Sequence, residues 1–334
     1  MDLAFNRLTQ LAFGYWQAQV LFALAEHRVF DLLTGAPRSA GEIATERELD
    51  AGVIERVLDA GVALNLLTKS AGRYANGPSA DRFLVAEAPE GLLHWVRVMG
   101  QWAPPWSRLP EVARSGVAGA TAHTGGAAQR DFILGMHEFA RRTAMALPAI
   151  SGLDQPRHLV DVGGGAGTYA IGFCQAYPEL RATLLDLPDV IDIALAEAEH
   201  AGVADRVTGR PVDYRVDSLG SDADVVLFSN VLHQESEDVV VDMLRRGVSA
   251  LADPRTGRIL VHGHFLNDDR TSPMFGTLHN ISAVLLWGAG RSYTGTQMQE
   301  LLRRAGLQPG ELQPVPGSTT QVLVGVAQTD AVPR

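Results

Sequence analysis

The apolar residues in the first part of the chain recur with the period of an α-helix. Between Leu21 and Leu33 they follow helical spacing, and a Gly-Ala-Pro break at 35–37 ends the run. Residues 39–42 read Ser-Ala-Gly-Glu, which is the form of a capping box that opens a helix. A further helix is predicted over 51–64. Almost the whole N-terminal part of the chain is therefore expected to be helical.

A short β-hairpin is predicted after these helices. Residues 66–68 and 73–74 are its arms, and the Ser-Ala-Gly sequence at 70–72 is its turn. Two helices followed by a hairpin make the winged-helix pattern, which in many proteins binds DNA. Residues 50–64, however, carry three carboxylates and one arginine, whereas phosphate contacts require the opposite charge. We therefore interpret this part as a packing or dimerisation module, with a nucleotide-sensing DNA-binding regulator as the alternative from another class.

From residue 158 the pattern changes to short β-rich runs that alternate with helical ones. The predicted strands are 158–162, 182–185, 207–212, 225–229, 258–261 and 321–327. Such alternation is typical of an α/β fold, in which a parallel sheet is covered by helices. The last strand is expected to close the edge of this sheet. The chain is thus expected to have three parts, at 1–90, 91–150 and 151–330.

Charge and composition limit the classes of partner that this chain is expected to bind. The 334 residues include 28 Lys and Arg against 38 Asp and Glu, a net charge of −10, which disfavours binding to nucleic acid. No apolar run approaches the roughly 18 residues of a membrane-spanning helix, and the first residues lack the pattern of a signal peptide. One cysteine, Cys174, rules out an intramolecular disulfide. We expect a cytoplasmic protein that contacts neither nucleic acid nor a membrane.

A glycine-rich loop follows the first strand of the α/β part. Residues 161–167 read Asp-Val-Gly-Gly-Gly-Ala-Gly and lead into a helix, so that the backbone can turn tightly and approach a ligand at the helix N-terminus. The Gly-x-Gly-x-x-Ala spacing from Gly165 also fits a dinucleotide-binding loop, which makes NAD an alternative ligand. Asp161 argues against NAD, because its charge would face a pyrophosphate. The same carboxylate suits the ammonium and sulfonium groups of S-adenosylmethionine (SAM).

Two further strand ends carry acids in the positions that a nucleoside requires. Asp186 ends the second strand, where a carboxylate accepts hydrogen bonds from both ribose hydroxyls. Asp213 and Tyr214 follow the third strand, where an acid takes the adenine amino group and an aromatic ring stacks on the base. Together with the glycine loop, these residues form an ordered set that predicts a SAM site.

Several short motifs resemble those of a known family. Residues 161–167 resemble motif I of SAM-dependent methyltransferases. The sequences Leu-Leu-Asp-Leu-Pro at 184–188, Asp-Tyr at 213–214, Ser-Asn-Val-Leu-His at 229–233 and Gly-Arg-Ser-Tyr-Thr at 290–294 resemble the small-molecule O-methyltransferases. That family includes plant caffeate-type enzymes and bacterial natural-product tailoring enzymes. The resemblance covers nearly the whole chain.

This resemblance implies a fold, a reaction and a set of partners. The fold is α/β, with a C-terminal Rossmann-like class I methyltransferase domain and a mostly helical N-terminal winged-helix dimerisation domain. The expected enzyme is a homodimer that transfers a methyl group from SAM to a hydroxyl of a small, aromatic secondary metabolite bound between the two domains. The residues expected to bind SAM are Asp161, Gly163, Gly165, Asp186, Leu187, Asp213, Tyr214 and Ser229.

A histidine after the fourth strand is the expected catalytic residue. The resemblance implies that His233 is the general base, and a near-neutral pKa suits an imidazole to remove a hydroxyl proton. Two partners of this base depart from the family pattern, because Gln234 and Ser292 stand where acids are expected. The candidate acceptor-binding residues are Trp102, Trp106, Phe132, Met136, His137, His279 and Trp287.

Additional histidines leave two other activities open. His233, His264 and His279 are candidates to reach one cavity at the sheet edge, where three imidazoles can hold Fe²⁺ or Zn²⁺. A bound metal would favour C-methylation of a 2-oxo acid through its enolate. A third hypothesis is a methyltransferase-fold enzyme with another activity, because the altered base partners weaken the usual mechanism.

Overall fold

The chain folds as two compact units. A computed structural model describes residues 3–86, 88–118, 126–288 and 290–328. The first unit comprises Met1–Pro104 and Ala127–Phe139, and the second comprises Pro105–Gly126 and Ala140–Arg334. Within the described ranges, no helix combines the length and the apolar character that crossing a membrane requires.

Helices dominate the N-terminal part of the chain, as the sequence predicts. They are α1 (Leu3–Glu26), α2 (Val29–Leu32), α3 (Ala40–Arg47), α4 (Ala51–Ala63), α5 (Pro78–Phe83), α6 (Leu93–Ser107), α7 (Leu109–Ser115) and α8 (Gly126–Ile150). Short strands accompany them: β1 (Arg38–Ser39), β2 (Leu67–Ser70) and β3 (Arg73–Asn76). The core of the first unit contains the fully buried side chains of Leu24, Phe30, Ile43, Leu58 and Tyr74.

Local sequence explains how this part of the chain begins its third helix and its hairpin. The Ser39 hydroxyl accepts a hydrogen bond from the Glu42 amide, and the Glu42 carboxylate accepts one from the Ser39 amide at 2.6 Å, so the predicted capping box is present. β2 and β3 pair as the predicted antiparallel hairpin. The prediction lacked β1, which pairs with the other side of β3. Two residues are too few to show a period.

A mixed sheet forms the centre of the second unit, and eight strands belong to it within the described residues. They are β4 (His158–Val162), β5 (Arg181–Asp186), β6 (Val207–Pro211), β7 (Val225–Ser229), β8 (Arg258–Gly263), β9 (Leu307–Pro309), β10 (Gln313–Pro314) and β11 (Gln321–Ala327). Their order is β10-β11-β8-β7-β4-β5-β6, with β9 also paired to β11. Strands β4 to β8 are parallel, and β11 is antiparallel to its neighbours.

The expectation that the last strand closes the sheet edge was wrong. β11 lies between β8 and the short strands β9 and β10, both of which pair with it. These two strands contain three and two residues, so their apolar pattern is too short to predict a strand.

The order of the strands indicates which edge of the sheet can bind a ligand, and helices cover the faces of the sheet. The helices of this unit are α9 (Thr168–Ala176), α10 (Pro188–His200), α11 (Glu237–Ala250), α12 (Met274–Trp287) and α13 (Gly295–Arg304), and a 3₁₀ turn covers Leu232–Gln234. The central strands β4 and β7 are buried along almost their whole length, as parallel strands covered on both faces are. The strand order reverses beside β4, and ligands of open α/β sheets bind outside the carboxyl ends at such a point.

Candidate active site

The loop between β4 and α9 has a backbone that requires glycine. Gly163, Gly165 and Gly167 have φ values of +65°, +56° and +73°, in the left-handed region where other residues are strained. The Gly163 amide donates to the Leu185 carbonyl at 2.7 Å, which ties the loop to the end of β5. The loop thus turns directly above the end of β4 and starts α9 beside it.

Gly163 and Gly164 in this loop have no room for a side chain. A Cβ on Gly163 would lie 2.9 Å from Val231, and a Cβ on Gly164 would lie 2.8 Å from Leu184 and 3.1 Å from the Asp161 carboxyl carbon. Atoms this close must shift. The loop therefore packs tightly on the residues beneath it, whereas a Cβ on Gly165 would meet open space.

Asp161 lies buried under this loop, and no positively charged side chain among the described residues pairs with its carboxylate. Its side chain has no exposed surface, and neither carboxylate oxygen accepts a hydrogen bond of good geometry from the described residues. Burial raises the pKa of Asp161 to about 7, the nearby Asp186 raises it further, and the amide of Ala170 offsets only part of this. A buried carboxylate without a partner costs free energy unless a positive group lies beside it. The site is thus electrostatically suited to a cationic ligand.

Asp186 is fixed at the end of β5 by two backbone amides. One carboxylate oxygen accepts from the Gly165 amide at 2.8 Å, and the other accepts from the Leu187 amide at 2.7 Å. Burial raises the pKa of this carboxyl, while the two amides lower it. Leu187 itself is exposed and immediately precedes α10. Asp186 therefore joins the glycine loop to the next strand with its remaining lone pairs available.

Tyr214 stands against the glycine loop in a fixed position. Its ring is 3.7 Å from where a Cβ of Gly163 would lie, and its hydroxyl donates to the Glu235 carboxylate at 3.2 Å. Glu235 is buried and pairs with Arg215 at 2.7 Å. Asp213 is exposed, and its carboxylate accepts from the Arg215 amide at 2.9 Å. Glu235 was not predicted from the sequence, because nothing in the local sequence connects it with a tyrosine in another loop.

Ser229 belongs to a buried polar network at the end of β7. Its hydroxyl lies 2.8 Å from Nδ1 of His262, and Nε2 of His262 lies 2.8 Å from the Thr320 hydroxyl. The Tyr169 ring packs on the His262 ring with centroids 5.0 Å apart. Burial lowers the pKa of His262 to about 3, so this imidazole is neutral and structural. Tyr169 and Thr320 were not selected from the sequence, since the sheet alone brings them to Ser229.

His233 lies in the 3₁₀ turn after β7 within a group of aromatic rings. Its ring meets the rings of His279 and Trp287 edge to face, with centroids 4.6 Å and 5.0 Å away. His279 is also 5.3 Å from His264, which in turn is 4.6 Å from Phe275. We call these five residues the histidine cluster. Four of the candidate site residues therefore do come together, namely His233, His264, His279 and Trp287.

All three imidazoles of this cluster favour the neutral form. Burial holds the pKa of His233 well below its usual value, and the neighbouring His279 and His264 lower it further. Burial likewise lowers the pKa of His264 and that of His279 to about 4. Near neutral pH the cluster is consequently uncharged.

The replacement of an expected acid by Ser292 is visible in the hydrogen bonding. Nε2 of His233 is buried and makes no hydrogen bond with any described residue. The Ser292 hydroxyl lies 3.2 Å from Nδ1 of His279, and the Ser292 amide donates to the side-chain oxygen of Asn280 at 2.8 Å. Ser292 thus orients His279 and not His233.

The structure does not support the candidate Fe or Zn site. Across the described ranges, no group of three His, Cys, Asp or Glu side chains has a geometry able to hold a metal ion. His233, His264 and His279 instead pack ring against ring. The alternative of metal-assisted C-methylation of a 2-oxo acid depended on this set of three histidines.

The candidate acceptor residues fall into separate groups. His279 and Trp287 lie on α12 and face His233, as described above. Trp102 on α6 and Phe132 on α8 pack together with centroids 6.4 Å apart. Trp106, Met136 and His137 are half-buried on the same two helices.

Known proteins share both parts of this chain. Residues 116–308 match the O-methyltransferase domain, and residues 9–86 match the O-methyltransferase dimerisation domain. The chain is 32% identical over 307 residues to 3-hydroxy-5-methyl-1-naphthoate 3-O-methyltransferase of Streptomyces sahachiroi, covering 90% of this chain and 88% of that protein. It is 28% identical to the tetracenomycin polyketide synthesis 8-O-methyl transferase TcmO of Streptomyces glaucescens, covering 94% of each.

A solved structure agrees with these relatives. Human N-acetylserotonin methyltransferase in complex with SAM superposes with a TM-score of 0.86 at 25% identity, covering 98% of this chain and 99% of that one. The chain therefore belongs to the O-methyltransferase family. It is a SAM-dependent methyltransferase with an N-terminal dimerisation domain and a C-terminal α/β domain, as the motifs indicated.

The buried carboxyl of Asp161 should make the ligand-free protein sensitive to pH. The native pKa of about 7 exceeds the unfolded value of about 3.9, so the native state holds this proton more tightly and stability falls as pH rises between them. Asp161→Asn removes the ionisation, and its stabilising effect relative to wild type should grow by ~2–3 kcal/mol from pH 5 to pH 8. Urea denaturation without SAM measures this.

The control for this experiment is Asp189→Asn, an exposed carboxylate in the first turn of α10. Its effect on the free energy of unfolding should be the same at both pH values. An Asp161→Asn effect that does not change with pH would contradict the raised pKa.

Proposed function

We propose that this enzyme methylates a hydroxyl group of a small aromatic secondary metabolite, with His233 as the proton acceptor. The observation that carries the proposal is the group of aromatic rings around His233, which lies in the turn after β7. Val231 packs on Gly163, and His233 follows only two residues later. Relatives named for a naphthoate and for a polyketide pathway support an aromatic acceptor.

The cofactor residues have distinct proposed roles. SAM supplies a methyl group made electrophilic by a sulfonium. The unpaired carboxylate of Asp161 favours its positive charge, and Asp186 accepts hydrogen bonds from ribose hydroxyls. Gly163 and Gly165 allow the backbone to approach the ligand, and Tyr214, held by Glu235, offers a flat ring to the adenine. Leu187, Asp213 and Ser229 complete the proposed set.

The aromatic rings around His233 fit a flat acceptor. His279 and Trp287 each present a ring to His233 at an angle of about 73–74°, so an aromatic compound beside them meets apolar faces. The low pKa of His233 keeps the imidazole unprotonated near neutral pH and able to accept a proton. Proximity to the methyl group supplies much of the remaining rate.

A homodimer is part of the same proposal. The chain has the family's dimerisation domain at 9–86. Helix α1 leaves a series of large apolar side chains uncovered within one chain: Leu3, Phe5, Leu8, Leu11, Phe13, Tyr15 and Trp16. An exposed apolar surface of this kind is typical of a protein–protein interface, so a second copy of the chain is the proposed cover.

Removal of the Asp186 carboxylate tests the proposed nucleoside contact. Asp186→Ala should weaken SAM binding about 10-fold or more, because hydrogen bonds to a charged group contribute ~1.5–3 kcal/mol. Isothermal calorimetry measures the dissociation constant, and Asp189→Ala, an exposed acid three residues away, is the control. Equal SAM affinity in Asp186→Ala and wild type would refute the assigned role.

Truncation of His233 tests its role in proton transfer. His233→Ala should reduce turnover of a naphthol acceptor by ~10²–10⁴-fold, the range for a lost general base, and leave the dissociation constant of SAM within about twofold. His200→Ala, at the exposed end of α10, should change neither. Unchanged turnover in His233→Ala would mean that His233 does not accept the proton.

A further inference from the structure

The base of this enzyme has no carboxylate to support it. Among the described residues no acid forms a hydrogen bond or an ion pair with the His233 imidazole, whose Nε2 is buried and unpaired. The adjacent Gln234 is neutral, and the buried Glu235 is already paired with Arg215 and Tyr214. A proton on His233 would therefore lack a counter-ion.

The elements packed against His233 do not change this. From α12 it faces His279 and Trp287, and His264 follows behind His279. The segment after α12 contacts the His233 carbonyl through the Arg291 amide, but the Arg291 guanidinium pairs with Glu237 at 3.0 Å. The ionisable groups of the cluster that lie near His233 are thus neutral imidazoles, and none of them offers a negative charge to a protonated His233.

The uncharged environment of His233 restricts which acceptor hydroxyls can transfer a proton to its imidazole. Each pKa unit by which the hydroxyl exceeds the imidazole lowers the transferred fraction tenfold. An ordinary phenol resembles the tyrosine side chain, with a pKa near 10, and is far above a histidine whose own pKa is depressed. A hydroxyl that is already acidic removes most of that difference.

We propose that the acceptor carries an acidic aromatic hydroxyl, such as one conjugated with a carbonyl or nitro group, and that His279 sets this preference because it places a neutral imidazole, and not a carboxylate, beside His233. The proposal rests on the O-methyl transfer proposed above. In the reaction, the hydroxyl oxygen forms a bond to the methyl carbon while the carbon–sulfur bond breaks and its electron pair stays on sulfur. The hydroxyl proton passes to His233 and then to water, leaving a methyl ether and a neutral thioether.

The test compares acceptors that differ in acidity and little in shape. The probes are 2-naphthol and 2-naphthols with electron-withdrawing groups distant from the hydroxyl, with methyl transfer measured in single turnover at saturating SAM. At pH 7 the rate should rise at least tenfold from the least to the most acidic naphthol. Raising the pH should accelerate each weakly acidic naphthol up to its own pKa, so the midpoint should differ from one naphthol to the next.

A pair of variants tests the assignment to His279. His279→Glu places a carboxylate beside His233 and should accelerate methylation of unsubstituted 2-naphthol at least tenfold at pH 7, flattening the dependence on acidity. His279→Gln, which is similar in size and neutral, should retain the wild-type dependence of the methylation rate on the acidity of the naphthol. The dissociation constant of SAM and the thermal unfolding midpoint, measured for both variants, identify any loss of fold.

The outcomes separate the two proposals. Equal or faster methylation of less acidic naphthols, with one pH midpoint shared by all, would overturn the acidity preference and leave O-methylation intact. SAM binding without methylation of any naphthol would also overturn it. Failure to bind SAM at all would overturn the proposed function itself. Equal effects of Glu and Gln at position 279 would refute the role of His279.

Discussion

The buried carboxylate of Asp161 is the constraint on which the candidate site depends. It lies at the end of the central strand β4, directly under the glycine loop, with neither oxygen hydrogen-bonded to a described residue. A folded chain gains nothing from such a group by itself, because burial of an unpaired charge is unfavourable. A Cβ on Gly164 would lie 3.1 Å from the carboxyl carbon of Asp161, so the glycine loop packs tightly on this acid. We propose that the loop and the acid form one unit, to which the cationic cofactor supplies the missing positive charge.

The other half of the site follows a different physical principle. Asp161 and Asp186 place carboxyl groups beside the glycine loop. The histidine cluster, in contrast, surrounds His233 with neutral imidazoles and aromatic faces. An acceptor that becomes anionic near a sulfonium is favoured electrostatically, whereas a protonated base among imidazoles is not. The two halves together explain why the proposed selection acts on the acidity of the acceptor and not only on its shape.

The sequence predicted those features that depend on local pattern. The strands β4, β7 and β11 match their predicted bounds, and the capping box at Ser39 is present because its residues are close in sequence. The glycine loop, Asp186 and Tyr214 were selected because each lies at the end of a strand or shortly after it, and their roles stay predictions. Glu235 and Thr320 were not selected, because only the folded sheet brings them to their partners. The strand β10 has too few residues to show the alternating apolar pattern of a strand. Because it was not predicted, β11 was wrongly expected at the edge of the sheet.

The number of protons released when SAM binds shows directly whether Asp161 faces the cationic cofactor. At pH 6 a carboxyl with a pKa of about 7 is mostly protonated in the free protein, and a cationic ligand beside it favours the ionised form. Calorimetry of SAM binding in buffers of different ionisation enthalpy counts the protons released. We expect the wild type to release a large fraction of one proton and Asp161→Asn to release almost none. A binding enthalpy of the wild type that is independent of the buffer would contradict it.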